Sequence, residues 1–286
     1  MGVKQIIMIF RIGDLQLGGD SPYKLESPIS GLDSADIRTA AGDFSGRDGG
    51  YVSSQFYGKR TIVLQGFFIG KNCEEADNLR SALGKSFKLR TKMPLYIETF
   101  ANKHYLAEVF MTEYRSDIIA PNHGRFQITF LAPDPYLYDA GDGADPFTGY
   151  LQALFYKSEG GGYEMPYELP VEWGVGNTST PIDNAGSVAV FPEIVLENDY
   201  TNPTIINLTT GKFMTLNMTT TGGDKVVIDM KNREITKNGV SVAANRTIDS
   251  TWWTLEPGQN LIALETDDSD DKNWGLIRWR QGYEGV

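Results

Sequence analysis

Apolar and polar positions alternate with a period of two over many short stretches of the chain, and this pattern predicts β-strands. Tyr57–Phe68 is the clearest such stretch and is predicted to be a mostly buried strand. Arg125–Leu131 places Phe126, Ile128 and Phe130 on one face, which is typical of a strand with one buried side. Further strands are predicted at Lys4–Ile12, Leu95–Phe100 and Tyr105–Tyr114, the last two forming a hairpin across Ala101–His104.

One segment, Asn72–Arg90, has the period of an α-helix. Asn72 is a good N-cap, and Glu75 stands three residues later, as a capping box requires. Pro94 marks the exit from the segment. The positions expected on one buried face are Ala76, Leu79, Leu83 and Phe87.

Turn-forming residues separate these elements. Gly and Asp crowd Gly31–Gly50, which predicts a long loop or an arm between strands. Two prolines in Ala132–Tyr136 cannot continue a strand ladder and are expected to end the first domain. The sequence therefore predicts two domains, residues 1–140 and residues 141–286.

The second half has the pattern of an all-β domain. Residues 139–182 are rich in Gly, Pro and aromatic residues, which indicates a linker that becomes strands. Asn238-Gly239 is a strong hairpin signal. Many short strands with regular turns favour a β-sandwich or jelly roll. The predicted strands are Ala189–Leu196, Thr204–Leu208, Phe213–Met218, Lys225–Asp229, Ile235–Thr236, Leu261–Glu265 and Leu276–Arg280.

Charge and composition exclude several classes of protein. Residues 1–140 have no net charge, whereas residues 141–286 carry the whole net charge of −11, which disfavours nucleic-acid binding by the second half. One cysteine and two histidines cannot supply a disulfide framework or a four-ligand Cys/His zinc site. The longest apolar run, Ile6–Phe10, is too short for a membrane helix or a signal-peptide core, so we expect synthesis in a cytoplasm.

Candidate chemical motifs fail on their spacing. Gly84-Lys85-Ser86 imitates the end of a P-loop but lacks the earlier glycine and lies inside the predicted helix. His104, His123 and Cys73 have no nucleophile or base motif beside them. Asp267–Asp271 does not fit a calcium-binding EF-hand loop and is expected to be a solvated hairpin tip. We therefore predict no enzyme activity and no catalytic, cofactor or metal site; an unrecognised hydrolase would need a base and a nucleophile that the sequence does not identify.

All five tryptophans lie in the second half. Most are expected to pack in a core, but exposed tryptophans on a sandwich could stack on sugar rings. A carbohydrate-binding adhesin that contacts host cell-wall glycans is therefore the alternative function. The tryptophans are Trp173, Trp252, Trp253, Trp274 and Trp279.

The order of motifs along nearly the whole chain resembles the distal tail proteins of long-tailed bacteriophages. In the first half the resemblance rests on Gly31-Leu32, Ile37-Arg38, Asp48-Gly49, Arg60–Gly66, the helix with Leu79, Arg80 and Leu83, and Phe130–Tyr136. In the second half it rests on Asn184–Gly186, Pro192–Ile194, Asn207–Gly211, Val227–Asp229, Asn238-Gly239, Trp253–Asn260 and Ile277–Tyr283.

The resemblance implies a mainly β protein. Its first domain would be a tail-tube-like β-sandwich or open barrel with one helix, and its second a galectin-like or carbohydrate-module-like β-sandwich. It also implies a virion structural protein at the distal tail tip, a hexameric hub ring that connects the tail tube protein to the tail-tip protein. The ring would carry receptor-binding proteins and let DNA pass through its lumen without specific binding. Gly42–Gly50 is where the family's ring-forming arm would lie.

Overall fold

The computed structural model describes residues 8–141, 147–155, 179–197, 199–267 and 274–286. They form two compact units. The first lies within residues 1–145 and includes Gly282–Val286, and the second lies within residues 146–281. Both are built mainly of strands, and the described residues contain one α-helix, in the first unit. The predicted mainly β fold class is confirmed.

The strands are short and closely spaced along the chain. The first are β1 (Ile9–Ile12), β2 (Leu15–Leu17), β3 (Tyr23–Leu25), β4 (Ile37–Asp43), β5 (Gly50–Tyr57), β6 (Arg60–Ile69), helix α1 (Cys73–Lys85), β7 (Met93–Glu98), β8 (His104–Ala120), β9 (His123–Ala132) and β10 (Leu137–Asp139). They are followed by β11 (Phe147–Phe155), β12 (Thr180–Asn184), β13 (Glu193–Glu197), β14 (Tyr200–Thr201), β15 (Thr204–Asn207), β16 (Lys212–Thr215), β17 (Thr219–Thr220), β18 (Lys225–Asp229), β19 (Glu234–Lys237), β20 (Val240–Ser241), β21 (Gly258–Thr266), β22 (Trp274–Trp279) and β23 (Gly282–Tyr283).

The first unit is an antiparallel sheet that curls into a nearly closed barrel. Its strand order is β2-β1-β7-β8-β9-β6-β3, with β10 beside β8 and β23 beside β10. The two ends of the sheet approach each other, since the Gly18 amide donates to the Tyr23 carbonyl over 2.8 Å. Apolar alternation explains the core: the predicted face of β9, Phe126, Ile128 and Phe130, is buried.

Helix α1 begins where the sequence predicts and ends earlier. The Asn72 side-chain oxygen accepts from the Glu75 amide over 2.8 Å, which confirms the N-cap. The Ser86 hydroxyl donates to the Ala82 carbonyl over 2.9 Å and competes for an acceptor of the last turn. Continuation to Arg90 was therefore a wrong prediction, because Arg90 has a φ of 61°, outside the helical region. Leu83 and Phe87 are buried as expected, and Leu79 is partly buried against the same core.

The second unit contains a ten-stranded sheet in the order β16-β15-β21-β11-β22-β13-β18-β19-β20, with β12 also beside β21. Strand β11 pairs with β22 through residues 147–152 and then runs parallel to β21 through residues 153–155, so it passes from one part of the sheet to another. The predicted Asn238-Gly239 turn joins β19 to β20, and both residues have positive φ, 50° and 80°.

Two predicted strands of this unit are shorter than expected. The strand predicted at Ala189–Leu196 begins only at Glu193, because Pro192 has no amide to give to a ladder. Val190 pairs separately with Leu255 in an isolated bridge. The strand predicted at Phe213–Met218 ends at Thr215. In the first unit, the described part of the predicted opening strand Lys4–Ile12 begins at Met8, and the strand itself begins at Ile9.

A charged cluster beside the Asn238 turn should make the second unit sensitive to acid. Asp224 receives hydrogen bonds from Lys237, Thr221 and Asn238, which hold the pKa of its carboxyl well below the ordinary value of 3.8. This contribution to stability is present above the unfolded pKa and is lost as pH falls through the lower folded pKa. We expect Asp224→Asn to lower the unfolding midpoint of the second unit at pH 7 and to lower it less at pH 2. An equal loss at both pH values would contradict this prediction.

Candidate assembly interface

The first unit carries a hairpin that stands apart from the barrel sheet. Strands β4 and β5 pair only with each other within the described chain and form a separate two-stranded sheet. We call Ile37–Tyr57 the arm. At its tip the Phe44 amide donates to the Gly49 carbonyl over 3.1 Å. The predicted loop or arm at Gly31–Gly50 is thus a hairpin whose second strand continues to Tyr57, and the predicted strand Tyr57–Phe68 is divided at Gly58.

Both faces of the arm expose large apolar side chains. The strand register pairs Ala41 with Val52 and Arg38 with Phe56, across a bulge at Ala40/Ala41. Val52 therefore shares a face with Ile37, whereas Phe56 lies on the opposite face with Tyr51. Their exposed fractions are 61% for Val52, 59% for Ile37, 64% for Phe56 and 53% for Tyr51.

An isolated two-stranded hairpin is marginally stable in water, and its unpaired strand edges are ready to pair with another chain. The arm combines such edges with apolar side chains on both faces. Large exposed apolar surfaces of this kind mark sites of interaction with other proteins. The arm is therefore the candidate assembly interface of the first unit.

We call residues 31–36 and 57–60, which connect the arm to the barrel, the arm base. A buried arginine stabilises it. Arg60, the first residue of β6, is fully buried and donates to the carbonyls of Pro135 and Gly31, each over 2.7 Å, and to the carbonyl of Glu284. Burial lowers the pKa of the Arg60 guanidinium, and the charges of Asp134 and Asp33 act in the opposite direction. The arginine thus joins three separate chain segments through their carbonyl oxygens.

The backbone at the arm base is tightly packed. The Gly58 amide donates to the Asp36 carbonyl over 2.6 Å, which closes the hairpin at its root. Gly31 has a φ of 87°, and a Cβ at this position would overlap the Thr61 carbonyl. The Tyr57 ring meets the Tyr136 ring edge to face, with 6.0 Å between centroids. Both ends of the arm are therefore held by close backbone and side-chain contacts.

Two family models match this chain. The phage tail protein RIFT-related domain matches residues 19–132, which include the arm, and the C-terminal domain of the siphovirus-type tail component matches residues 185–283. The chain belongs to the distal tail protein family of siphophages. Distal tail proteins are structural components of the phage tail and baseplate hub, so the resemblance inferred from the sequence motifs is confirmed.

Solved structures of phage hub proteins share the fold of this distal tail protein. The crystal structure of SPP1 Dit, described as a paradigm of the hub adsorption apparatus in phages that infect Gram-positive bacteria, is 13% identical with a TM-score of 0.69, over 96% of this chain and 98% of that one. A chain of the phage P2 baseplate in its activated conformation with Ca is also 13% identical, with a TM-score of 0.53 over 96% and 98%. A search of curated proteins gives no match.

The residues considered for chemistry are dispersed in this distal tail protein. His104 opens β8, whereas His123 pairs with Ala120 at the other end of that strand, so the two histidines are far apart. Cys73 is exposed at the first position of α1. Within the described ranges no three His, Cys, Asp or Glu side chains could jointly hold a metal ion. No helix in the described part of the chain is long and apolar enough to cross a membrane.

The phosphate-loop imitation lies where the sequence predicts. Gly84 and Lys85 belong to the last turn of α1 and Ser86 is its C-cap, so this segment does not form a phosphate-binding loop. The acidic run Asp267–Asp271 lies outside the described residues except for Asp267, which accepts a hydrogen bond from the Asn202 side chain over 2.8 Å.

The tryptophans that the structure describes are mostly buried. Trp253 is fully buried, and Trp279 is 9% exposed and stacks on Phe147 at 5.9 Å between centroids. Trp252 is half-buried, with the Arg246 guanidinium 5.9 Å from its ring centre. Trp173 and the side chain of Trp274 lie outside the described part of the chain. Sequence reasoning did not single out Arg60, a basic residue in step with the buried Ile62 and Leu64, which is the central residue of the arm base.

Proposed function

We propose that this protein forms a hexameric ring at the distal end of the phage tail, which joins the tail tube protein to the tail-tip protein and carries receptor-binding proteins. The observation that carries the proposal is the arm. It exposes Val52 and Phe56 on opposite faces and has strand edges that no described strand of its own chain covers. A ring of copies supplies such a cover.

The arm can build a closed ring. In such a ring each copy gives its arm to one neighbour and receives the arm of the other, so the contact is heterologous, and heterologous contacts repeat around a rotation axis until the ring closes. The number of copies, six, is taken from the family resemblance.

The charge distribution agrees with different roles for the two halves of the chain. Residues 1–140 carry equal numbers of basic and acidic side chains, so a ring built from the first unit would let DNA pass with little electrostatic attraction. Residues 141–286 carry the net charge of −11 and offer receptor-binding proteins an acidic surface. The burial of Trp253 and Trp279 removes two candidate sugar platforms and gives no support to the adhesin alternative.

The solution mass of the full chain tests the proposal. We expect light scattering after size-exclusion chromatography to give six times the mass of 31.7 kDa for the protein alone, or a mass that contains six copies of this chain together with its partners after co-expression with the tail tube and tail-tip proteins. Electron microscopy of the same fraction should show closed rings. A monomer mass under both conditions would contradict the proposal, and glycan binding by that monomer would favour the adhesin.

A further inference from the structure

After the second unit, the chain returns to the first. Gly282–Val286, which we call the return segment, is part of the first unit. Its strand β23 pairs with β10, with Tyr283 opposite Leu137. The Tyr283 ring meets the Tyr105 ring edge to face, with 5.4 Å between centroids. The return segment is thus anchored on the barrel by one short ladder and one aromatic contact.

From this anchor the return segment reaches the base of the arm. The Val286 amide donates to the Leu32 carbonyl over 3.1 Å, on the segment that leads into β4. Interaction with the Glu284 carboxylate raises the pKa of Tyr57, at the end of β5. The return segment therefore contacts both chain segments by which the arm joins the barrel.

Two further contacts fix its position there. The Arg60 guanidinium donates to the Glu284 carbonyl and also to the Gly31 carbonyl, so it links the return segment to the arm base. A Cβ added at Gly285 would overlap the carbonyl and Cα of Asp33, so the backbones of these two residues touch. Only glycine allows this approach.

We propose that the return segment is a latch that fixes the direction of the arm and thereby positions the ring interface. The proposal rests on the ring function proposed above. Strand β4 has seven residues and extends roughly 23 Å at about 3.3 Å per residue, so a rotation of about 15° at the base displaces the tip by roughly 6 Å. Such a displacement breaks side-chain contacts with a neighbouring copy, because contact requires separations of about 4 Å.

Gly285→Ala tests the latch, because the added methyl group forces Gly285 away from Asp33. Gly222→Ala is the matched control: a Cβ at Gly222 meets only Asp199 Oδ1, at 3.7 Å. Hydrogen exchange is measured on peptides that cover the arm base and, for comparison, the β6–β9 ladder. We expect exchange at the arm base, which includes the Gly58 amide, to rise at least tenfold in Gly285→Ala and ring content to fall by a similar factor. The β6–β9 ladder should keep its protection.

Tyr57→Phe is the milder second variant, since it removes the hydroxyl that interacts with Glu284 and keeps the aromatic ring that packs on Tyr136. The loss of one polar interaction of about 1 kcal/mol predicts a rise in arm-base exchange of about fivefold. Exchange at the arm base equal to that of the Gly222→Ala control would overturn the latch, and so would increased exchange with undiminished ring assembly. If the proposed ring function is wrong, the wild-type protein itself will not assemble. The role of the return segment in positioning the ring interface is then also wrong. In that case the exchange at the arm base still tests whether the return segment holds the arm.

Discussion

Replacing Val52 and Phe56 together by serine is expected to convert the ring into monomers without lowering the melting temperature of the first unit. Both side chains are more than 60% exposed, so the folded monomer loses little when they are removed. In a ring they would be covered, and burying such a side chain contributes about 1.5–3 kcal/mol. The pair therefore accounts for roughly 3–6 kcal/mol per interface, which corresponds to about 10²–10⁴-fold weaker association.

Light scattering over a range of protein concentrations measures this effect, and thermal unfolding checks that the fold is intact. Ile248→Ser is the matched control, because Ile248 is an aliphatic residue of the second unit that is 92% exposed. The control should assemble as the wild type does. If the double variant keeps its ring at low concentration, the arm is not the assembly interface.

Replacing Arg60 by methionine is expected to lower the free energy of unfolding of the first unit by roughly 3–5 kcal/mol. Methionine fills much of the same space but donates no hydrogen bond. It leaves the carbonyls of Gly31, Pro135 and Glu284 without the donor they have now. A hydrogen bond from a charged donor contributes about 1.5–3 kcal/mol, and removal of the desolvated charge offsets part of the sum.

Denaturant unfolding followed in the first unit measures the loss. Arg125→Met is the control, since Arg125 is an exposed arginine on β9 of the same unit, and surface changes of this kind stay within about ±0.5 kcal/mol. Arg60→Lys should lie between the two, because an ammonium keeps the charge but cannot span three carbonyls with a planar fork. A loss for Arg60→Met no larger than for Arg125→Met would show that the three carbonyls do not depend on this arginine.

Local sequence determined the elements whose signals are local. Alternation in β9 placed Phe126, Ile128 and Phe130 in the core because one face of that strand is buried. The start of α1 followed from a cap that acts over three residues, whereas its end depended on Ser86 and Arg90, which carry no strong stop signal. The arm was predicted only as a loop or arm, because a hairpin exposed on both faces has no apolar side and hence no period-two pattern.

The order of motifs also determined the family, since short turns and strand ends can be compared along a chain without a structure. Only the tertiary structure decided what lies at the base of the arm. It brings Arg60 to the carbonyl of Glu284, far away in sequence, and places Gly282–Val286 in the first unit. These contacts use backbone carbonyls and amides, which do not depend on residue type, so the sequence does not predict them. They form only because the folded barrel brings distant segments together.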